Sequence, residues 1–234
     1  MTLHKVTHVI FDLDGLILDS EAIYEEIMMA MAHSHGKEYT PEVKLKILGT
    51  PENESARIFI KELNLPITIE QCLEEYYKKI AEKLTNPPFM PGAKKLIKHL
   101  ANHKIPVAIA TSSGRPPYDI KTQSHPEIFD LFLHVVCGTN NPEIKHGKPA
   151  PDIFLNCASK FPDNPDPQKV LVFEDSPNGI RAGMAAGMQT VFVPDKTVSK
   201  EMTKIATLSL NSLEDFKPEM FGLPPFKDEK KVIC

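Results

Sequence analysis

Five short apolar runs recur along the chain. They lie in "THVIFDLDGLILDS" at 7–20, "IPVAIATSS" near 105–113, "LFLHVVCG" near 131–138, "KVLVFEDS" near 169–176 and "QTVFVPD" near 189–195. In the first, Val9, Ile10 and Phe11 follow one another with no polar residue between them, as in strands covered on both faces. The stretches between the runs have a helical period. In "GAKKLIKHLANHK", Ala93, Leu96, Ile97 and Leu100 form one stripe with lysines opposite. "PDIFLNCASK" opens with Pro151, suited to a first helical turn, and "SPNGIRAGMAAGM" reads as a further helix. Strands alternating with helices of this length build a parallel sheet with helices on both faces. The expected fold is therefore α/β, a Rossmann-like doubly wound parallel sheet. Its crossovers should be right-handed, with ligands at the carboxyl ends of the strands.

Residues from about 20 to 86 break the alternation. "SEAIYEEIMMAMAHSHG", "TPEVKLKILG", "ENESARIFIKELN" and "TIEQCLEEYYKKIAEKL" all read as helices, with Ser20–Glu21 and Thr40–Pro41–Glu42 as helix starts. An all-α helical bundle inserted after the first strand accounts for them. The expected division is a core of 1–16 and 89–234 and a helical domain of 17–88, with "GLILD" and "TNPPFMPG" as the connections. The Pro-Pro pairs read as turn punctuation.

Composition narrows the function. Acidic residues number 31 and basic ones 27, a formal charge of −4, and there is no basic tract, which argues against a nucleic-acid polymer as partner. No apolar run approaches the length of a membrane span, and "MTLHKVTH" does not read as a signal sequence. Cys72, Cys137, Cys157 and Cys234 are scattered, as reduced thiols would be, and Cys234 is not placed for prenylation. The expectation is a cytoplasmic, monomeric protein that engages neither membrane nor nucleic acid.

The polar anomalies fall just past the strand ends. The first strand runs into Asp12-Leu13-Asp14-Gly15, the second into Thr111-Ser112-Ser113-Gly114, and the fourth into Glu174-Asp175-Ser176, while Lys148 in "HGKPAPDIF" stands directly before a helix. Carboxylates at the mouth of a buried strand lose hydration, which is costly unless a cation or hydrogen bonds compensate. Each segment alone is commonplace: a solvated turn, a hydrogen-bonded turn, a loop, a helix N-cap. In a doubly wound sheet they can converge on one cleft. Together they offer a possible nucleophile, a second carboxylate, hydroxyl and amide donors, a fixed cation and another acidic pair. That is an inventory for handling a phosphoryl group with Mg²⁺.

In this order, "DLDG", Thr111, Lys148 and "EDS" resemble the four motifs of the haloacid dehalogenase-like hydrolase superfamily, and the helical block looks like the cap these enzymes carry. The resemblance implies a phosphomonoesterase. Asp12 would attack phosphorus and become a transient aspartyl phosphate, and Asp14 would serve as general acid and then general base. Mg²⁺ would bind the Asp12 carboxylate, the Asp14 main-chain carbonyl, Asp175 and a phosphate oxygen, with Glu174 nearby. Lys148, Thr111 and the Ser112 amide would stabilise the transferring oxygens. Residues two apart on an extended segment point the same way, which suits a nucleophile and a proton shuttle acting on one group.

A narrower resemblance runs from about Val6 to Phe226, through "FMPGAKKLIKHL", "HGKPAPDIFLNCA" and "NSLEDFKPEMFGLP" among others, and implies pseudouridine 5′-phosphate as substrate. Another small phosphate ester, a sugar phosphate or nucleotide, is the alternative. Phosphosugar mutases share core and cap but carry an arginine in the cap loop for a second phosphate; here residues 49 to 54 contain Glu52 and Glu54 and no basic side chain. Glu21, Glu52 and Asn53 are the cap candidates for contacting the leaving group. Four other features read as structure: His99 and His103 as a solvated helix face, His33 and His35 as a helix end, Met28, Met29 and Met31 as cap packing, and Phe59, Tyr76 and Tyr77 as cap core.

Overall fold

The computed structural model describes residues 3–47, 50, 52–194, 198–199 and 201–227. Six strands form one parallel sheet: β1 (His8–Phe11), β2 (Val107–Thr111), β3 (Val135–Cys137), β4 (Val170–Glu174), β5 (Gln189–Phe192) and β6 (Leu208–Ser209), in the order β3-β2-β1-β4-β5-β6. The α/β expectation holds, with two differences of detail. The third run is strand only over Val135–Cys137, because Leu131 and Phe132 follow the short helix α7 (Pro126–Phe129) and pack into the core from a turn. The two-residue β6 at the sheet edge was not expected, being too short to carry a period. Asp195, the end of the fifth run, lies outside the described residues.

Alternation within the strands explains why both faces had to be apolar. Val9, Phe11, Val107, Ile109, Leu171, Phe173 and Val191 face one side, where α5 (Ala93–Asn102) brings Leu96, Ile97 and Leu100. Ile10, Ala108, Ala110, Val170 and Val172 face the other, under α8 (Asp152–Ser159) and α9 (Pro177–Ala185), which bring Ile153, Phe154, Cys157 and Ala182. Strand order reverses at β1, which pairs with β2 on one side and β4 on the other; Phe11 is in register with Ile109 and with Phe173. Residues just beyond these strands therefore meet at the switch point, where open α/β sheets hold ligands.

Among the described residues, the elements between β1 and α5 are all helices: α1 (Glu21–Ser34), α2 (Pro41–Ile47), α3 (Glu52–Leu63) and α4 (Ile69–Lys83). They share their own apolar cluster, with Ile27, Met31, Val43, Phe59, Cys72, Ile80 and Leu84 at its centre. Met28 joins it from the edge, but Met29 is 46% exposed and does not pack as expected. Thr68 starts α4 with a reciprocal capping box to Gln71. Leu48 and Gly49, in the second helical stretch, lie outside the described residues. Ile120, from α6 (Arg115–Thr122), packs against this cluster from the sheet side.

Helix α6 corrects one expectation. Pro116 and Pro117 are not turn punctuation but the first turn of α6, where a backbone N–H has no intrahelical acceptor and its loss costs nothing. Cys72, Cys137 and Cys157 are free thiols, and Cys234 lies outside the described residues. Among the described residues no helix is long and apolar enough to cross a membrane. Phe173 is fully buried, stacked on Phe11 at 4.9 Å between centroids and edge-on to Phe216 at 4.8 Å. Phe173→Ala should cost about 3–5 kcal/mol in urea unfolding; a loss below about 1 kcal/mol would show that this face does not carry the core.

Candidate active site

Asp12 follows β1 directly, its backbone N–H donating to the Phe173 carbonyl at 3.0 Å, so it stands beside the end of β4. Its side chain is 9% exposed. Lys148, placed by the loop ahead of α8, donates from Nζ to Asp12 Oδ1 at 2.5 Å, to Glu174 Oε1 at 2.6 Å and to the Ala110 carbonyl at 3.2 Å. The other Glu174 oxygen accepts from the Asp175 and Ser176 N–H groups and the Ser176 hydroxyl, at 2.9 to 3.0 Å. Glu174 is thus fully engaged, bridging Lys148 to the start of α9. Gly179 leaves it the space: a Cβ there would come within 1.7 Å of Glu174 Oε1.

Asp14 has a separate environment. Lys121 reaches both its oxygens at 2.6 Å, Ser20 donates to Oδ1 at 2.6 Å, and Ser113 and Thr111 donate to Oδ2 at 2.9 and 3.4 Å. Ser20 stands at the start of α1, as expected, but its hydroxyl makes no cap hydrogen bond and donates to Asp14. Lys121 and Tyr24 were not singled out in the sequence, and Ser113 only as part of the polar run 111–114. Lys121 carried a readable signal, since it shares the buried face of α6 with Pro117, Tyr118 and Thr122.

The two aspartates are shifted in opposite directions. Burial pushes Asp12 up to about 7, aided by the Glu174 and Asp14 charges and opposed by Lys148. Burial would raise Asp14 too, but the Lys121 charge and the hydrogen bonds around it hold Asp14 below the ordinary carboxylate value. Asp175 is raised well above its usual range by burial and by the charges of Glu174, Asp12 and Glu21. Burial would lower Lys148, but Asp12 and Glu174 raise it.

Asp12, Glu174 and Asp175 lie around one ammonium, and burial together with the neighbouring carboxylates drives Asp12 and Asp175 toward neutrality. Hard carboxylate oxygens with excess negative charge are a donor set that fits Mg²⁺, which takes one or two carboxylates together with water and substrate phosphate. Gly15, at φ +79°, lets Asp175 close on the first loop: a Cβ there would lie 2.2 Å from Asp175 Oδ2 and 3.6 Å from Glu21 Cγ.

Beside Lys148 opens a cavity of about 190 Å³, lined by Ser112, Thr139, Asn140, Lys145 and Ile153 and, from the helical block, by Asn53. Glu52 is committed elsewhere, accepting from the Gly114 N–H at 3.1 Å and the Tyr77 hydroxyl at 2.6 Å. Of the three residues proposed to meet a leaving group, Asn53 lines this cavity, Glu52 ties α3 to α6, and Glu21 lies by Gly15. His99 bonds the Pro224 carbonyl at 2.8 Å.

A family model described as haloacid dehalogenase-like hydrolase matches residues 9–193. The probable pseudouridine-5′-phosphatase of Drosophila melanogaster is 45% identical over 226 residues, covering 97% of this chain and 98% of that protein. The (DL)-glycerol-3-phosphatase 2 of Arabidopsis thaliana is 45% identical over 227 residues, covering 96% of this chain and 94% of that protein. Among solved structures, CbbY from Rhodobacter sphaeroides, in complex with phosphate, matches with a TM-score of 0.76 at 21% identity, covering 90% of this chain and 96% of that one. That likeness is one of fold.

The raised carboxyl of Asp12 makes a signed prediction. In chelator-treated protein Asp12 keeps its proton to about pH 7 when folded but releases it near pH 4 when unfolded. The folded state then binds more protons in that window, so the Asp12 contribution to stability falls as pH rises from about 4 to 7. Asp12→Asn has no such proton to lose. Its stability relative to wild type should therefore climb across that window in denaturant unfolding; a relative stability that falls would contradict the assignment.

Proposed function

The chain belongs to the haloacid dehalogenase-like hydrolases, and from that premise we propose that it is a Mg²⁺-dependent phosphomonoesterase. It works through an aspartyl phosphate on Asp12, and its substrate is pseudouridine 5′-phosphate. The observation that carries this reading is the arrangement of two aspartates, one residue apart, on two separate lysines. Asp12, 2.5 Å from Lys148, is set to act on a phosphoryl group, and Asp14, gripped by Lys121, is set to move protons.

An Asp12 oxygen bonds to phosphorus as the ester P–O bond breaks, and the leaving oxygen takes a proton from Asp14. Water then attacks phosphorus and gives a proton to Asp14, the bond to Asp12 breaks, and inorganic phosphate departs. Lys148, with Thr111 and the Ser112 amide, neutralises charge on the transferring oxygens. The Asp12 and Asp175 carboxylates and the Asp14 main-chain carbonyl would hold Mg²⁺, which supplies charge that offsets repulsion between carboxylate and phosphate. The helical block, 17–88, acts as a cap over a core of 1–16 and 89–234, and excludes water from the reaction.

The core grips only the phosphoryl group, so choice of ester falls to the cap and neighbouring loops. Pseudouridine has a carbon–carbon glycosidic bond and one more ring N–H donor than uridine. An acceptor facing that donor would be left unpaired by uridine, and sites of this kind discriminate by about 10⁴–10⁵-fold. Asn53, at the cavity wall, is the candidate acceptor. Glu52 and Glu54, with no basic side chain among residues 49 to 54, disfavour the second phosphate a mutase must hold. A second reading, a glycerol 3-phosphatase, is favoured by the plant relative, whose identity to this chain is also 45%.

Phosphate release should be compared for pseudouridine 5′-phosphate, uridine 5′-phosphate, glycerol 3-phosphate and glucose 6-phosphate. Turnover should require Mg²⁺, be nearly abolished in Asp12→Asn, and show the highest kcat/KM for pseudouridine 5′-phosphate. Faster turnover of glycerol 3-phosphate would select the second reading. Uridine 5′-phosphate or glucose 6-phosphate turned over equally well would reject the substrate and leave the phosphatase chemistry standing.

A further inference from the structure

The helical block joins the core through α1 at one end and α4 at the other, so α2 and α3 have no chain connection of their own to it. Apolar packing holds the four helices together but is non-directional, so their register against the core falls to directional contacts. Among the described residues, one hydrogen bond alone links α2 or α3 to the core: the Gly114 N–H donates to Glu52 Oε1 at 3.1 Å. Gly114 ends the polar run that follows β2 and contains Ser112, and a Cβ on it would lie 3.4 Å from Glu52 Oε2, so loop and carboxylate are in contact. The second Glu52 oxygen accepts from the Tyr77 hydroxyl of α4 at 2.6 Å. One carboxylate thus ties two helices of the block to the loop beyond β2. Asn53, the next residue, lines the cavity beside Lys148, whereas neither Glu52 nor Tyr77 lines it.

We infer that Glu52 is a positioning residue: its bridge between Tyr77 and the Gly114 amide sets where Asn53, the cavity wall supplied by the helical block, stands over the core. Selection of the ester then depends on a side chain that does not itself touch the ester. This role rests on the phosphomonoesterase reading above, and it replaces the contact with the leaving group expected of Glu52 from the sequence. It also differs from a charge filter against a second phosphate. Positioning needs the hydrogen bonds, whereas a filter needs only the negative charge. Glutamine separates the two, because its carbonyl can accept from Gly114 while its amide donates to the Tyr77 oxygen.

Glu52→Ala, Glu52→Gln and Tyr77→Phe should be compared with wild type on pseudouridine 5′-phosphate or glycerol 3-phosphate, whichever wild type turns over faster. Inhibition by inorganic phosphate is the reference, since that anion needs only the core. In Glu52→Ala kcat/KM should fall about 10–100-fold, with the inhibition constant of phosphate within about threefold of wild type. Glu52→Gln should recover about fivefold or more of that loss, and Tyr77→Phe should lose about 3–10-fold. In hydrogen exchange followed by NMR, the Gly114 amide of Glu52→Ala should exchange about tenfold faster or more, with the β1 and β2 amides unchanged. Unchanged kcat/KM in Glu52→Ala, or unchanged exchange at Gly114, would overturn the role. So would Glu52→Gln as impaired as Glu52→Ala, or an equal loss of phosphate affinity, which would put the damage in the core. Should Glu52→Ala not fold, wild-type kcat/KM in Tyr77→Phe overturns it. Failure of the underlying reading would show separately, as wild-type protein inactive on both esters, and would remove this role with it.

Discussion

One ammonium, that of Lys148, lies between two carboxylates that the sheet forces together. Parallel pairing of β1 with β4 sets Phe11 beside Phe173, so the next residues, Asp12 and Glu174, emerge on neighbouring strands with nowhere else to go. Two anions buried side by side repel, and the interior screens them poorly. Lys148 relieves this at 2.5 and 2.6 Å, while Asp175 adds a third carboxylate, which burial and the Glu174 and Asp12 charges raise well above its usual range.

The second aspartate escapes that crowding although it is two residues away. Asp14 has its own lysine and three hydroxyl donors, so its carboxyl is held low while that of Asp12 is pushed up to about 7. The separation depends on elements distant in sequence. Lys121 comes from α6 and Lys148 from the loop before α8, and Ser20 and Tyr24 come from the helical block. The block is therefore part of the site and not merely its cover.

The sheet was legible because each strand advertises two buried faces: Val9, Ile10 and Phe11 leave no other reading. The polar residues at the strand ends were legible because a carboxylate there is costly without a partner. What stayed hidden depended on contacts that no local period reports. Lys121 sits in "RPPYDIKT", where two prolines suggest a turn and mask a helix whose buried face includes a charged residue. Ser20 was legible as the start of α1, but not that its hydroxyl donates to the Asp14 carboxylate across a turn. Glu52 read as one of three candidate acceptors for the leaving group; that it also accepts from the Gly114 amide and the Tyr77 hydroxyl was hidden, since neither is near it in sequence. β6 has two residues, too few to show any pattern.

The central claim is that Asp12 carries the phosphoryl group while Asp14 moves the protons. It is tested most directly in Asp14→Asn, where water is poorly activated and a phosphoenzyme should persist. That variant, mixed with p-nitrophenyl phosphate and Mg²⁺, should release about one equivalent of p-nitrophenol per chain, as covalent catalysis with a slowed second step requires. Acid quenching and peptide mapping by mass spectrometry should then find the phosphoryl group on Asp12. Release of p-nitrophenol with no label on Asp12, or with the label on another residue, would contradict the account.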